Sequence, residues 1–233
     1  MEIKGFVPTS LVDWDGKVVS VIFVSGCNFR CGYCSNKDLV LHPENLKSIE
    51  LKYILEYLGN NKEFIDGVVI SGGEPTLYSE TVKLCEEIKK LGFKIKLDTN
   101  GSNPEILKEF FLDKNLVDYV AMDIKTNFEK YKELTNSDID VEKIKKSIFI
   151  VSQFPEYEFR ITLSPSIKKE DLLGIANYLR ENKVNKSFFL HQFSTESCIN
   201  EEFEKMKPYS KDQILEFHEL IKNLFDKSGI RNM

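Results

Sequence analysis

The chain has 233 residues, of which 42% are hydrophobic and 30% are charged, and this composition predicts an ordinary globular protein with a substantial core. Its 32 basic and 37 acidic residues give a net charge of −5, which argues against binding to the phosphate backbone of nucleic acids. No run approaches the ~18 apolar residues of a membrane span, and the N-terminus lacks the core of a signal peptide. We therefore expect a cytoplasmic protein that engages neither a membrane nor a nucleic acid.

Six short runs rich in β-branched and aromatic residues are predicted to be strands, with amphipathic helices between them. The predicted strands are residues 18–25, 67–71, 93–98, 117–123, 157–163 and 187–193. The predicted helices are residues 49–58, 79–92, 169–182 and a C-terminal helix of about 210–227 that opens with a capping box. This alternation predicts one parallel α/β domain over residues 1–233. Either an open doubly wound sheet or a partial barrel of about six βα units fits the pattern.

In either closure, polar residues that follow parallel strands meet at the C-terminal edge of the sheet. The first predicted strand is followed by GCNFRCGYCSN, a cysteine loop over residues 26–36. The next strands are followed by SGGEPT, DTNG and MDIKT, and the last two carry Arg160 and His191. One group of polar or metal-binding residues per strand predicts a single site at this edge.

The cysteine loop places Cys27, Cys31 and Cys34 within eight positions, a spacing that suits zinc or an iron–sulfur cluster. Structural zinc needs a fourth ligand, for which His42 is the nearest histidine. A [4Fe–4S] cluster held by three cysteines instead leaves one iron open to a small molecule. The other two cysteines, Cys85 and Cys198, have no spaced partner, and we expect them to be unligated free thiols.

The run GCNFRCGYC, with Tyr33 before its third cysteine, resembles the cluster loop of the radical S-adenosylmethionine (radical SAM) enzymes. SGGEPTL resembles the glycine-rich motif of the same family, and DTNG followed by MDIK resembles its glycyl-radical enzyme activase branch. The likeness covers most of the chain and is greatest to the activases of anaerobic ribonucleotide reductase and pyruvate formate-lyase. We accordingly predict a single-domain α/β fold, a partial (β/α)6 TIM-like barrel with parallel strands.

The resemblance implies a role for each matching residue. The three cysteines would hold three irons of one [4Fe–4S] cluster, and S-adenosylmethionine would chelate the fourth. Further cofactor contacts are implied for Tyr33, Gly72, Gly73, Glu74, Asp98, Thr99, Asp123, Lys125, Arg160 and His191. Among these, Asp98, Thr99 and Asp123 would also be able to hold a monovalent cation. Asp13 and Ser35 would contact the substrate.

Each of these residues also has a purely structural interpretation. SGGEPT and DTNG are sequences typical of turns. Arg160 would equally suit one half of a buried salt bridge, and His191 a hydrogen-bonded core histidine. The joint occurrence of the motifs, in order along the chain, favours the functional interpretation of the cysteine loop and the next three motifs.

The activity implied is reductive cleavage of S-adenosylmethionine to a 5′-deoxyadenosyl radical, which would abstract a glycine Cα hydrogen in a partner glycyl-radical enzyme. A flavodoxin or ferredoxin-like protein would donate the electron, and the enzyme would act as a monomer.

Two positions depart from the activase pattern: Ser35 stands where histidine is common, and Asp15 where proline is common. Two alternatives therefore stay open: a radical SAM enzyme acting on a small molecule or modified peptide, and a non-enzymatic iron–sulfur or zinc protein.

Overall fold

The computed structural model describes residues 1–231, apart from the side chain at position 110. Its centre is one eight-stranded sheet whose strands follow one another in chain order. The strands are β1 (Ile3–Ser10), β2 (Val19–Val24), β3 (Gly67–Gly72), β4 (Lys94–Thr99), β5 (Tyr119–Asp123), β6 (Glu156–Leu163), β7 (Ser187–Gln192) and β8 (Lys227–Arg231). The first pair is antiparallel, and every later pair is parallel.

Helices connect most of the parallel strands. They are α1 (Lys37–Leu41), α2 (Leu51–Asn60), α3 (Glu80–Lys90), α4 (Pro104–Ile106), α5 (Tyr131–Thr135), α6 (Val141–Val151), α7 (Lys169–Glu181), α8 (Glu201–Lys205) and α9 (Lys211–Ile221). A π-helical turn over Leu107–Leu112 continues α4, and 3₁₀ turns lie at Pro43–Asn45, Pro75–Leu77 and Phe128–Lys130. In the part of the chain that the structure describes, no helix is both long enough and apolar enough to cross a membrane.

The two faces of the sheet differ in chemistry because successive side chains of a strand point to opposite sides. In β4, Ile95 and Leu97 are fully buried in the main apolar core, whereas Lys96 and Asp98 alternate with them. β6 repeats the pattern, with apolar Phe159 and Ile161 alternating with charged Glu158 and Arg160. One face therefore packs on the helices, and the opposite, inner face carries charged groups toward the middle of the partial barrel.

The predicted fold is confirmed as one mostly parallel α/β sheet that does not close, and the six predicted strands correspond to β2–β7. Sequence reasoning missed β1 and β8, the two strands at the edges of the sheet. β1 contains Gly5 and Pro8 and is mostly half-exposed or exposed, so it lacks a clear strand pattern. β8 is short and only partly buried.

The C-terminal helix predicted over about 210–227 extends too far at its C-terminal end. The capping box of Ser210 and Gln213 is present, and α9 starts at Lys211. The helix ends at Ile221, and residues 227–231 form β8, in which Ile230 pairs with Leu190 of β7. Pairing with the free edge of β7 satisfies backbone groups that a longer helix would have left exposed there.

Candidate active site

A cavity of about 120 Å³ lies at the C-terminal edge of the sheet, between the cysteine loop and the strand ends. Cys27, Cys31 and Cys34 all line this cavity. The ends of β3 to β5, the residues that follow them and the middle of β6 supply seven more of the predicted site residues: Gly72, Gly73, Asp98, Thr99, Asp123, Lys125 and Arg160. The structure thus brings four sequence motifs to one place.

The glycine motif and the cysteine loop touch through their backbones. The Gly73 N–H donates to the carbonyl of Val24 at 2.9 Å, and the Glu74 N–H donates to the carbonyl of Gly26 at 2.8 Å. A Cβ atom on Gly73 would lie only 1.8 Å from the Gly26 carbonyl oxygen. Sequence reasoning assigned these glycines to the approach of a ligand. The structure shows that Gly73 also allows the cysteine loop to dock.

Glu74 is fully buried and is not among the residues that line the cavity. Its carboxylate accepts hydrogen bonds from the Thr76 hydroxyl and backbone N–H, the Thr99 hydroxyl (2.8 Å) and the Asn100 N–H (2.6 Å). Burial raises the pKa of Glu74, and these four donors oppose the rise. The carboxylate therefore joins SGGEPT to DTNG and is already occupied, whereas the sequence suggested a direct ligand contact.

Arg160 contacts two aspartates on neighbouring strands. Its guanidinium donates to both oxygens of Asp123, at 2.9 and 3.2 Å, and to Asp98 at 3.4 Å. The Lys125 ammonium lies 3.4 Å from Asp123. Burial alone would raise the pKa of Asp123, but the charges of Arg160 and Lys125 outweigh it and hold that pKa well below its usual value. Asp123 is therefore an anion fixed by two cations, as in the salt-bridge interpretation of Arg160.

The expected cation site of Asp98, Thr99 and Asp123 is not an open cage of oxygens in this structure. The Thr99 hydroxyl donates to Glu74, and both carboxylates accept from Arg160. The positive charge between the aspartates is that of the guanidinium. A monovalent cation would have to displace Arg160 from one of them, and it stays a prediction.

Hydrogen-bond donors surround the sulfur of Cys27. The Phe29 N–H lies 3.3 Å from this sulfur and the Asn100 amide nitrogen 3.7 Å. Burial, and then the charge of Glu74, raise the pKa of Cys27 to about 11, and burial raises that of Cys31 to about 12. Such thiols need a strongly positive centre to lose their protons, and N–H donors at sulfur then stabilise the bound thiolate. The donor set therefore fits iron of a sulfur cluster.

The zinc alternative depended on His42, which is not part of this donor set. The His42 side chain is 54% exposed, and its Nδ1 lies 3.4 Å from Glu44. Its position at the surface, outside the residues that line the cavity, makes it unsuitable as the fourth ligand. Within residues 1–231, no three His, Cys, Asp or Glu side chains form a site for a single metal ion.

Tyr33 and His191, which were predicted to contact the cofactor, are not among the residues that line the cavity. The Tyr33 hydroxyl and His191 Nε2 are buried without a hydrogen-bond partner among the described residues. Burial, and then the charge of Arg160, lower the pKa of His191 to about 4, so the imidazole is neutral at pH 7. The interpretation of His191 as a satisfied core histidine is therefore not what the structure shows.

The two predicted substrate residues lie apart from the cavity. Asp13 belongs to the loop between β1 and β2, at the opposite end of β2 from the cysteines; its carboxylate accepts from the Ser10 hydroxyl at 2.5 Å. Asp15, one of the departures from the activase pattern, pairs with Arg231 at 2.8 Å. Ser35 is exposed and lines a separate surface cavity beside Lys4. The roles of Asp13 and Ser35 stay predictions.

The two remaining cysteines are buried. Cys85 lies in α3 within the main core, and Cys198 is fully buried with its thiol 3.6 Å from the Ser194 carbonyl. Neither lines the cavity.

Two asparagines in the quoted motifs were not singled out from the sequence. The Asn36 side chain donates to the Gly72 carbonyl at 2.8 Å, which ties the end of the cysteine loop to β3. Asn100 reaches both the Cys27 sulfur and the Asn28 side chain. Asn100 lies within DTNG and Asn36 within the cysteine loop, so their motifs were the available signal.

Comparison with known proteins finds a matching family and several relatives. The family model of the radical SAM superfamily matches residues 21–179. A candidate glycyl-radical enzyme activating enzyme of Methanocaldococcus jannaschii is 33% identical over 99% of this chain and 96% of its own length. A candidate GTP 3′,8-cyclase of Pyrococcus abyssi is 25% identical over 84% of this chain and 69% of its own.

Among solved structures, Streptococcus suis SuiB bound to S-adenosylmethionine has the same fold, with a TM-score of 0.68 at 18% identity. That alignment covers 92% of this chain and only 50% of SuiB, so the chain spans about half the length of that protein.

Proposed function

Because the chain belongs to the radical SAM superfamily, we propose that it is a glycyl-radical enzyme activating enzyme that acts on a backbone glycine of a partner protein. The observation that carries this proposal is the 33% identity to the M. jannaschii relative over almost the whole of both chains. The match includes the segments that supply the cavity, so the likeness is not confined to the cysteine motif. Anaerobic ribonucleotide reductase and formate-lyase-like proteins are the partner classes we propose.

In this proposal Cys27, Cys31 and Cys34 would hold three irons of one [4Fe–4S] cluster, and the fourth iron would be left to bind S-adenosylmethionine. When bound, the reduced cluster and S-adenosylmethionine supply the 5′-deoxyadenosyl radical that removes the glycine hydrogen. The remaining steps belong to the chain itself, which must bind, orient and shield the reactants.

Positive charge on the cavity wall suits the carboxylate of S-adenosylmethionine. Lys125 and Arg160 both line the cavity, and Asp98 and Asp123 fix the direction of the guanidinium. A guanidinium held in this way has N–H groups left to donate, because two aspartates do not use all five. Its geometry is set before the ligand arrives, which lowers the entropic cost of binding.

Shielding is the second task of the chain. Phe29 and Val40 are buried apolar residues that line the cavity beside the cysteines. They limit access of water to the sulfurs, which favours radical chemistry over competing reactions. An electron donor of the flavodoxin or ferredoxin type, and action as a cytoplasmic monomer without nucleic acid or membrane, complete the proposal.

Anaerobic reconstitution tests the chemistry. The protein is loaded with iron and sulfide, reduced with dithionite and given S-adenosylmethionine, and 5′-deoxyadenosine is measured by chromatography. We expect product from the wild type and from Cys85→Ala, whose thiol lies in the core, but neither iron retention nor product from Cys31→Ala. An absence of 5′-deoxyadenosine above background in the wild type would sink the proposal.

A second assay tests the partner. The reconstituted enzyme is mixed with the anaerobic ribonucleotide reductase or formate-lyase-like protein of the same organism, and a glycine-centred radical is sought by paramagnetic resonance. Failure with both partner classes, while 5′-deoxyadenosine still forms, would favour the second candidate, a radical SAM enzyme acting on a small molecule. The likeness to a candidate GTP 3′,8-cyclase over 84% of the chain supports that candidate, and added GTP would then increase 5′-deoxyadenosine formation.

A further inference from the structure

Four charged side chains of β4 and β6 form a closed ring of alternating charge on the inner face of the sheet, which we call the inner charge ring. The Lys96 ammonium lies 3.8 Å from Oδ1 of Asp98 and 3.8 Å from Oε1 of Glu158. The Arg160 guanidinium lies 3.4 Å and 4.0 Å from the same two oxygens. No side chain of the ring is more than 16% exposed, so solvent screens these charges only weakly.

The strand register explains why the inner charge ring can form across β5. Ala121 of β5 pairs with Asp98 on one side and with Glu158 on the other, so the two carboxylates lie in one row across three strands. The short alanine side chain leaves space between them. Lys96 and Arg160 lie two positions from these acids on the same strands, and therefore on the same face.

Only one half of the inner charge ring borders the cysteine cavity. Asp98 and Arg160 line that cavity, whereas Lys96 and Glu158 do not. Lys96 and Glu158 come two positions earlier on parallel strands, so they lie on the side away from the cysteines. Lys96 can therefore act on the site only through its partners, and not by touching a ligand.

Oxygen atoms surround the Lys96 ammonium as they would surround a bound cation. The ammonium donates to the Asp13 carbonyl at 2.6 Å and has the Asp98 and Glu158 carboxylates beside it. The ring of Tyr119 lies 5.5 Å away and adds a further negative face. Carbonyl and carboxylate oxygens are the ligands that hard metal cations take, and here a side chain of the protein supplies the positive charge among them.

The oxygens of the two cavity aspartates are already occupied. Oδ1 of Asp98 faces Lys96 and Arg160, and its Oδ2 accepts from the Ser71 hydroxyl at 3.1 Å. Both oxygens of Asp123 accept from Arg160. A cation from solution would therefore have to displace a donor or a cation that the chain itself provides.

We propose that Lys96 is a positioning residue whose ammonium takes the place of a free monovalent cation beside Asp98. It balances the charge of Asp98 and Glu158 and so leaves Arg160 aligned for the carboxylate of S-adenosylmethionine. Without Lys96, two carboxylates would share one guanidinium and draw it away from the ligand. This inference rests on the cofactor that the proposed function requires, and it is independent of the identity of the partner protein.

The first test compares the wild type in potassium chloride and in choline chloride at the same ionic strength of roughly 0.1 M, so that general screening is equal. Choline is too large to replace a small cation in a buried site. We expect the thermal midpoint of the cofactor-free protein to be the same in both salts. The Kd for S-adenosylmethionine, measured by equilibrium dialysis on reconstituted but unreduced protein, should also be the same.

The second test is Lys96→Met, which keeps a side chain of similar length and removes the ammonium. In choline chloride we expect a lower midpoint and a Kd that rises roughly 10-fold, because the buried carboxylates lose a cation. Potassium or ammonium chloride should raise the midpoint and return the Kd to within about threefold of wild type, because a small cation can then occupy the vacated position.

Lys89→Met is the matched control. The Lys89 ammonium lies 2.5 Å from Asp118, and the two side chains are 28% and 33% exposed. Water can solvate Asp118 once its partner is removed. We expect this variant to lower the midpoint slightly, by the same amount in every salt, and to leave the Kd unchanged.

Two results would overturn the inference. One is a wild type that binds S-adenosylmethionine at least about threefold more tightly in potassium chloride than in choline chloride. The other is a Lys96→Met variant that loses as much in potassium and ammonium chloride as in choline chloride, including one that folds in none of these salts. In either case 5′-deoxyadenosine production by the wild type would still support the proposed function. If the wild type binds no S-adenosylmethionine in any salt, the proposed function fails, and the midpoints of the cofactor-free protein still test Lys96.

Discussion

Glu74 connects two strand-end loops through one buried carboxylate. This carboxylate accepts every hydrogen bond it makes, from Thr99 and Asn100 of DTNG and from Thr76. We predict that Glu74→Gln lowers the free energy of unfolding by about 2–4 kcal/mol in the cofactor-free protein, because the amide NH₂ would face another donor. Urea unfolding measures the change, and Glu63→Gln, at an exposed position, should have no effect. Unaltered stability with lost cofactor binding would instead make Glu74 a direct ligand contact.

His191 gives the stability a pH dependence whose sign follows from its pKa. The folded-state pKa is about 4, below the ordinary value of 6.5, so between these values the unfolded chain binds a proton that the folded chain does not. We predict that stability from this residue is fully present above pH 6.5 and is lost progressively toward pH 4, by at most roughly 3 kcal/mol. Urea unfolding from pH 7.5 to 4.5 should show a shallower fall for His191→Gln. Equal slopes for wild type and variant would contradict the prediction.

At the level of residues, the sequence predicted which side chains gather but not how they pair. Ten of the residues chosen for their chemistry, Cys27, Cys31 and Cys34 among them, line one cavity because parallel strands deliver them to one edge. The pairing of Arg160 with two aspartates depends on register between β4, β5 and β6, which a single sequence does not contain. For the same reason the sequence did not reveal the hydrogen bond that the Thr99 hydroxyl donates to Glu74.

The contact between the glycine motif after β3 and the cysteine loop after β2 depends on a missing side chain. Gly73→Ala would place a methyl group 1.8 Å from the Gly26 carbonyl oxygen, and both partners are backbone that cannot rotate away. We predict that Gly73→Ala displaces the cysteine loop and lowers iron content after reconstitution by more than half, measured by iron and sulfide analysis.

Gly59→Ala is the control for that variant. Gly59 lies within α2 and has open space around it, so alanine should stabilise the helix by about 0.5–1 kcal/mol and leave the iron content unchanged. Full iron content in Gly73→Ala would show that the two loops need not touch.

Elements with a buried face were predictable, and elements at the edges were not. β2 to β7 each have neighbours on both sides and read as apolar or alternating runs, since burial imposes a pattern. β1 and β8 pair on one side only and carry residues of mixed polarity, so no pattern distinguishes them from a loop. The overextended C-terminal helix has the same cause, because β8 left no signal to end it.

At the scale of the whole molecule, the open sheet is held near its N-terminal end by the loop between β1 and β2. Trp14 of this loop is buried against Val69 and other inner-face residues. The Lys96 ammonium donates to the Asp13 carbonyl at 2.6 Å, across the middle of the partial barrel. Asp15 pairs with Arg231 of β8. The two edge strands, which do not pair with each other, are therefore linked through the loop between β1 and β2, whose Asp15 forms ion pairs with both Arg231 and Lys227 of β8.

Arg231 connects the loop between β1 and β2 to the buried inner face of the sheet, and its two acidic partners differ sharply in exposure. Its guanidinium donates to both oxygens of Glu158, at 2.6 and 2.8 Å, and Glu158 has no exposed side-chain surface. Asp15, at 2.8 Å, is 53% exposed. Without Arg231, the buried Glu158 carboxylate would lose two hydrogen bonds at once and keep only the Tyr119 hydroxyl at 2.8 Å and the more distant cations Lys96 and Arg160. An exposed carboxylate that loses its partner instead regains water.

We therefore predict that Arg231→Met lowers the free energy of unfolding by about 3–5 kcal/mol, against less than about 1 kcal/mol for Asp15→Asn. The double variant Arg231→Met/Glu158→Gln should recover part of the loss, because it removes the charge left without its arginine. Denaturant unfolding of the three variants decides between this account and one in which β8 is held by its backbone pairing to β7 alone. In that second case Arg231→Met would cost no more than Asp15→Asn, and the link between the two edges of the sheet would not depend on the buried pair.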